Sequence, residues 1–306
     1  MTDDRPRLII ITGPTASGKS SLAVDLAIEL GGEIISADSM QVYRGMDIGT
    51  AKPTTKERRG VRHHLIDVVD PDEEFNASIF RSLAEAVIGG ITARQKPCFL
   101  VGGTGLYIKT LLGGLFECPP TDPELRKKLF RECDEYGPSD LHQRLEKLDP
   151  ESAQKIHLND RARLIRALEV IALTDQPLSS LVQGHGFKEN HFKTLKICLN
   201  MDRELLYHLI NERSLRMMEA GLVAETKKLL EMGYSPELKP MKSLGYRHAV
   251  ALLKRECDQD EMVRQLQTDT RRYAKRQLTW FRADPDIAWV APEDKDLIKE
   301  KIRVFI

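Results

Sequence analysis

A short apolar run, Leu8 to Ile11, leads into Gly13-Pro14-Thr15-Ala16-Ser17-Gly18-Lys19-Ser20, and a helical pattern with Leu22, Leu26 and Leu30 at four-residue spacing follows. That order constrains the chain more than any other feature. Consecutive apolar positions suit a strand buried on both faces, which parallel sheets require. Parallel strands need helical crossovers, and Gly31-Gly32 stops the first. The octapeptide fits G-x-x-x-x-G-K-[ST] at every defined position. Its glycines let backbone N–H groups wrap a phosphate, Lys19 supplies a point charge, and Ser20 offers a hydroxyl to Mg²⁺. The helix aims its positive dipole end at the same spot.

The alternation continues. Ile34 and Ile35 begin a second strand ending near Asp38, and His64 to Val69 reads as a third. Phe75 to Ile91 has helical spacing, and Cys98 to Val101 is another buried strand, followed by Gly102-Gly103-Thr104-Gly105 and a helix. Around Cys118-Pro119-Pro120 the character changes. Asp122-Pro123 is a helix start, and helices with stripes Leu141, Leu145, Leu148 and Leu164, Leu168, Ile171 fill the stretch to about Thr174. A glycine-rich loop from Gln183 to Phe187 precedes a strand-like Thr194 to Leu199, and Ile287 to Val290 gives a last strand. The expected fold is α/β: a P-loop parallel-sheet core flanked by helices, with an inserted all-helical domain. The expected boundaries are 1–118 for the core, 119–186 for the insertion, and 187–306 for a mainly helical return to the core.

Composition narrows the function classes. Lysine plus arginine equals aspartate plus glutamate at 46 each in 306 residues, so any nucleic-acid partner must be met by local basic patches. The five cysteines are scattered with no C-x-x-C pair, which argues against a disulfide framework or a zinc site. No apolar run approaches the roughly 20 residues that span a bilayer, and the acidic N-terminus has no signal-peptide core, so a cytoplasmic location is expected.

A phosphate loop alone does not fix the reaction, and a small-molecule or nucleoside kinase is the rival reading. A non-catalytic RNA-binding protein is a third. No N-K-x-D sequence supports a GTPase. Asp67, after Leu65-Ile66, could end a strand as a metal-holding carboxylate or serve as a cap or turn residue. Asp38 falls at the carboxyl end of the second strand, the edge where open α/β sheets bind ligands. There it could hold Mg²⁺, take a proton from a nucleophile, or simply cap a turn.

The segment Asp38-Ser39-Met40-Gln41-Val42-Tyr43-Arg44, with Ile48-Gly49-Thr50-Ala51-Lys52-Pro53 after it, resembles the signature of the tRNA dimethylallyltransferase (tRNA isopentenyltransferase) family. His63-His64-Leu65-Ile66-Asp67, Gly102 to Tyr107, Arg163 to Glu169, Lys242 to Arg247, Tyr273 to Gln277 and Thr279 to Arg282 are similar to family segments in the same order. The resemblance runs over nearly the whole chain. Family members often carry threonine at the position of Ser20. No C-x-x-C…H-x-x-H segment follows Trp289, so the likeness is to the shorter, bacterial-type members.

The resemblance implies that the phosphate loop holds dimethylallyl diphosphate and that the acceptor is the exocyclic N6 amine of the adenosine 3′ of a tRNA anticodon. It implies Mg²⁺ as cofactor, Asp38 as catalytic aspartate and Thr104 near the reacting groups. It assigns RNA contact to Asp38, Ser39, Met40, Gln41, Thr104, Arg126, Ala162, Arg163, Leu164, Ile165 and Arg166. The same holds for Lys242, Ser243, Leu244, Gly245, Tyr246 and Arg247. Arg213 could neutralise the diphosphate. Arg161, Arg163 and Arg166 share one expected helix with only Asp160 close by. Lys275, Arg276 and Arg282 belong to a stretch from Arg271 to Arg282 without an acidic residue, a second candidate RNA face. The anticodon stem-loop is the expected partner because a loop base is cheap to extrude. A monomer would suit a tRNA grasped between two lobes.

Overall fold

The computed structural model describes residues 5–115, 119–185 and 191–306. They form two compact units, Met1–Leu111 with His191–Ile306, and Leu112–Asn190. The expected boundaries at Cys118 and at Gly186-Phe187 lie outside the described residues.

Among the described residues of the first unit, six strands make one sheet: β1 Arg7–Thr12, β2 Glu33–Ser36, β3 His63–His64, β4 Cys98–Val101, β5 Lys193–Leu199 and β6 Ala288–Val290. Every pairing is parallel, in the order β3-β2-β4-β1-β5-β6. Strand side chains alternate between faces. Ile9, Ile11, Ile34, Phe99, Val101, Ile197 and Leu199 pack in one cluster with Leu22, Ala23 and Leu26 of the Lys19–Leu30 helix and Ile298 and Ile302 of the Lys295–Phe305 helix. Leu8, Ile10, Ile35 and Leu100, also fully buried, face the other way. The Ala77–Ala93 helix packs on β2 and β4 and buries Phe80, Ala84, Ile88 and Ile91 along one stripe. Asn76 caps it by accepting the Ser78 and Ile79 N–H groups.

The third strand is shorter than its apolar pattern suggests. Leu65 (φ 59°) and Asp67 (φ 56°) adopt left-handed backbone, which ends pairing with β2 after His64, and Val69 makes an isolated bridge with Tyr43. Asp67 is an ion-pair partner: it meets the buried Lys52 ammonium at 2.5 Å, and Asp47 meets it at 2.6 Å. Gln183 and Gly184, expected in a loop, close the Leu178–His185 helix instead.

The second unit is helical and holds its own core, with Leu129, Leu141, Leu145, Leu164, Ile165 and Leu168 buried together. Leu148, expected on the same stripe, is exposed. Glu169 is fully buried there and accepts from Arg126 at 2.9 Å, Arg166 at 2.7 Å and the Asp122 N–H at 2.9 Å. A buried carboxylate left unpaired costs several kcal/mol, so these two arginines first serve the fold.

At the opening end of β2, Glu33 is buried and receives hydrogen bonds from His64, Arg94 and Lys96. Burial would raise its pKa, but the three donors hold it down at about 2. A carboxyl depressed in the folded state stabilises fully above its unfolded pKa and loses that contribution as pH falls from about 4.5 to about 2. Glu33→Gln should therefore lower unfolding free energy at pH 7 by roughly 2 kcal/mol and flatten the acid limb. Urea denaturation across that pH range measures both.

Candidate active site

Three connections leave the carboxyl edge of neighbouring central strands: the phosphate loop after β1, Ala37-Asp38 after β2 and Gly102-Gly103-Thr104 after β4. They meet because β4 lies between β1 and β2. The Ala37 N–H donates to Val101 O at 2.8 Å, and the Thr104 N–H returns to Ala37 O at 3.2 Å. A Cβ on Gly102 would stand 2.2 Å from that same carbonyl oxygen, so no other residue fits between the strand ends.

Within the phosphate loop, Gly18 caps the Lys19–Leu30 helix in left-handed conformation (φ 81°). Pro14 has no N–H, the Thr15 N–H donates to Gln277 Oε1 at 2.8 Å, and the Ser17 N–H donates to Pro14 O. Among the described residues this leaves the amides of Ala16, Gly18, Lys19 and Ser20 for an anion, as expected at a helix start. Lys19 Nζ donates to Pro14 O at 3.2 Å, and the buried Ser17 hydroxyl has no partner.

Arg213, from the Arg203–Glu219 helix, donates to Thr15 Oγ1 at 3.1 Å and so stands over the loop. That helix packs on the Gln259–Arg282 helix through Leu206, Ile210 and Ala274. Burial, and secondly the Arg213 charge, push Lys19 down to about 8, while Asp38 opposes them. Burial lowers Arg213 as well, again opposed by Asp38. Two cations held side by side in poor solvent form a site that gains when an anion enters.

Asp38 is fixed by its own turn. Its Oδ1 accepts the Met40 N–H at 2.9 Å and the Gln41 N–H at 3.3 Å. Among the described residues Oδ2 has no hydrogen-bond partner. Thr104 Oγ1 accepts the Ser39 N–H at 3.0 Å, which ties the β4 turn to the aspartate turn.

Two adjoining cavities follow from this layout. The smaller, about 60 Å³, is lined by Thr15, Lys19, Ser20, Asp38, Arg213 and Gln277 among others. The larger, about 310 Å³, shares Thr15, Asp38, Arg213 and Tyr273 with it. Ser39, Met40, Lys242, Ser243, Leu244 and Arg247 line it too, with apolar side chains Ile210, Met217 and Leu266. The geometry thus sets an anion chamber beside a roomier, mixed chamber, with one carboxylate at the junction. Among the described residues no group of three His, Cys, Asp or Glu side chains could hold a metal by themselves.

The family profile described as IPP transferase matches residues 41–284, and that described as Isopentenyl transferase matches residues 6–74. The chain belongs to the IPP transferase family. It is 50% identical over 288 residues to the tRNA dimethylallyltransferase 2 of Geotalea uraniireducens, covering 94% of this chain and 93% of that one. With the tRNA dimethylallyltransferase of Desulfatibacillum aliphaticivorans it shares 47% over 302 residues, 99% of each chain. The full-length tRNA isopentenylpyrophosphate transferase from Bacillus halodurans superposes with a TM-score of 0.72 at 39% identity, covering 98% of both chains. A eukaryotic dimethylallyltransferase captured acting on tRNA gives a TM-score of 0.80 at 29% identity, over 97% of this chain and 77% of that one. The resemblance read in the Asp38 segment and its companions is therefore a true family relation.

Not every residue the IPP transferase resemblance assigned to RNA is free to serve it. Leu164 and Ile165 are buried in the helical unit, and their side chains belong to its core. Arg161, Arg163 and Arg166 each meet a carboxylate, from Asp134, Asp160 and Glu169 respectively, not Asp160 alone. Ala162 is exposed on the same helix. Gly245 and Tyr246 are buried, with the Tyr246 hydroxyl donating to Glu225 at 2.5 Å, and Gln41 is buried beside Ser36 and Thr50. Lys242 pairs with Glu237 and Arg247 with Asp269. Lys275, Arg276 and Arg282 are exposed and, among the described residues, have no ion pair. Arg276 lies 5.7 Å from the Tyr273 ring centroid. Tyr273, Ile210, Met217, Leu266 and Thr270 were not expected as lining, because only the crossing of two helices brings them there.

Lys19 is charged below about pH 8, so affinity for inorganic pyrophosphate should weaken by up to about tenfold per pH unit above that value. Titration calorimetry at about pH 7 and pH 9, compared with Lys19→Met, isolates the effect.

Proposed function

We propose that this chain is a tRNA dimethylallyltransferase that alkylates the N6 amine of the adenosine 3′ of the anticodon, working in the cytoplasm as a monomer. The observation that carries the reading is that Lys19, Ser20, Asp38 and Arg213 line one cavity, in a chain half identical to relatives that bear this name. Dimethylallyl diphosphate sets its diphosphate in the smaller chamber, against the amides of Ala16, Gly18, Lys19 and Ser20. Its five-carbon tail lies toward the larger one. The adenine, extruded from the anticodon loop, enters the larger chamber near Ser39, Met40, Ser243 and Leu244.

An exocyclic adenine amine is a weak nucleophile, so the leaving group must be stabilised. The amine nitrogen bonds to the donor carbon that carries the diphosphate oxygen as that carbon–oxygen bond breaks. The electron pair leaves on the diphosphate, where Lys19, Arg213 and the loop amides meet the growing charge. The amine proton passes to Asp38, whose turn holds Oδ1 in two backbone hydrogen bonds and leaves Oδ2 to accept it. Thr104 holds the aspartate turn through Ser39. The residues also fit Mg²⁺, which takes a few protein oxygens together with substrate phosphate oxygens and water. Ser20 would hold it, and the ion would neutralise diphosphate charge.

RNA recognition rests on exposed cations. Lys275, Arg276 and Arg282 are exposed on the Gln259–Arg282 helix and have no ion pair among the described residues, and Lys242 and Arg247 line the larger chamber. Arg126, Arg163 and Arg166, with Ala162, would act from the helical unit where their carboxylate partners allow.

Incubation with dimethylallyl diphosphate, Mg²⁺ and unmodified tRNA should add one five-carbon unit to the anticodon-loop fragment by mass spectrometry, and an unchanged mass refutes the reading. Asp38→Ala should lower turnover by about 10²–10⁴-fold with tRNA affinity nearly intact. Lys275→Ala and Arg282→Ala should each reduce the salt dependence of tRNA binding by close to one counterion. Filter binding over a salt series measures it.

A further inference from the structure

Gln277 is a buried polar side chain on a helix otherwise notable for its exposed cations. Its carbonyl Oε1 accepts the Thr15 N–H of the phosphate loop at 2.8 Å, and its Nε2 donates to Gly103 O of the β4 turn at 3.0 Å. The partners themselves fix the amide's orientation, since a backbone N–H can only donate and a carbonyl can only accept. The neighbouring glycine shows how tightly the bridge is fitted: a Cβ on Gly103 would stand 2.1 Å from Nε2. One helical turn on, Trp280 Nε1 would be 2.1 Å from a Cβ on Gly105, so the same helix grips the turn twice.

The hydrogen bonds run on beyond Gly103. Thr104 next in the chain accepts the Ser39 N–H, and Ser39 follows Asp38. The loop that takes the leaving anion and the turn that carries the proton acceptor are therefore joined through one side-chain amide. Gln277 lines the smaller cavity, yet its two polar groups are spent on backbone. We propose that Gln277 is a positioning residue, which sets the spacing between the donor's diphosphate and the Thr104–Asp38 turn. Its place on the helix that exposes Lys275, Arg276 and Arg282 ties that spacing to the face offered to RNA. The inference rests on the function proposed above for the role of the spacing, but the bridge itself is tested without turnover.

Two substitutions separate positioning from space filling. Gln277→Met keeps the length and removes both hydrogen bonds. It should still fold cooperatively and bind tRNA within about twofold of wild type, while binding inorganic pyrophosphate about tenfold more weakly and losing at least that factor in kcat. Gln277→Glu keeps the shape and can restore the bridge only when protonated, with its O–H donating to Gly103 O. Ionised, it sets a negative oxygen against that carbonyl. Burial and Asp38 raise such a carboxyl's pKa while Lys19 and Arg213 of the same cavity lower it, and protonation restores the bridge, so pyrophosphate affinity relative to wild type should rise as pH falls from about 8 to about 6.

A Gln277→Met protein with wild-type pyrophosphate affinity and kcat would overturn the proposal. So would a Gln277→Glu ratio that is flat with pH, or loss of the folded state in both variants, which would make the residue structural. If wild type fails to modify tRNA, the proposed function falls, and the pyrophosphate measurements still decide the role of Gln277.

Discussion

The close approach of two strand ends, β4 against β2 at Gly102 and Ala37, holds the site together. A Cβ at Gly102 would occupy the Ala37 carbonyl oxygen's own space. With none present, Ala37 bonds to Val101, Gly102 bonds back to Ile11 of β1, and Thr12 Oγ1 reaches Gly102 O at 2.8 Å. Three strands are thereby tied together at the edge where ligands bind in open sheets. The phosphate loop, Asp38 and Thr104 each follow one of these strands by a few residues. Backbone hydrogen bonds thus fix the strand ends, and the Gln277 side chain then ties the phosphate loop to the β4 turn.

The electrostatics divide into charges satisfied by the protein and charges left for something else. Glu33, Glu169 and Lys52 are buried, and each is met by opposite charges from two or more residues. Such clusters serve the fold, because a lone buried ion is too costly to keep. Lys19 and Arg213 break the pattern. Burial weakens the hold of each on its proton, and Asp38 is the first group to oppose this in both. An anion with several negative oxygens completes what the protein leaves incomplete. The zero formal net charge hides this asymmetry, and among the described residues Lys275, Arg276 and Arg282 are exposed cations of one helix without an ion pair.

Elements whose signal is local were legible in the sequence. β1, β4 and β5 announce themselves as apolar runs, and the Lys19–Leu30 helix by its spacing and glycine stop. His64 to Val69 misled because its apolar pattern says nothing of the positive φ at Leu65 and Asp67. Arg166 read as part of a basic face, and Arg126 entered the RNA set with its family-like segment, while Glu169, which binds both, sits inside an apolar stretch of helix. Leu164 and Ile165 came into the RNA set with the segment around them, though burial removes their side chains. Gln277 gave no signal as a bridge, since its partners lie 262 and 174 residues away.

What the sequence determined by itself is the chemistry available: a loop able to wrap an anion, a carboxylate at a strand end, a glycine-rich turn after a buried strand. These follow from residue type and from neighbours a few positions away. Only the tertiary structure decided which of those groups meet. The insertion of β4 between β1 and β2 placed Asp38 beside the loop, and the crossing of two distant helices put Arg213 and Gln277 over it. Such meetings depend on packing between segments far apart in the chain, and no local pattern encodes them.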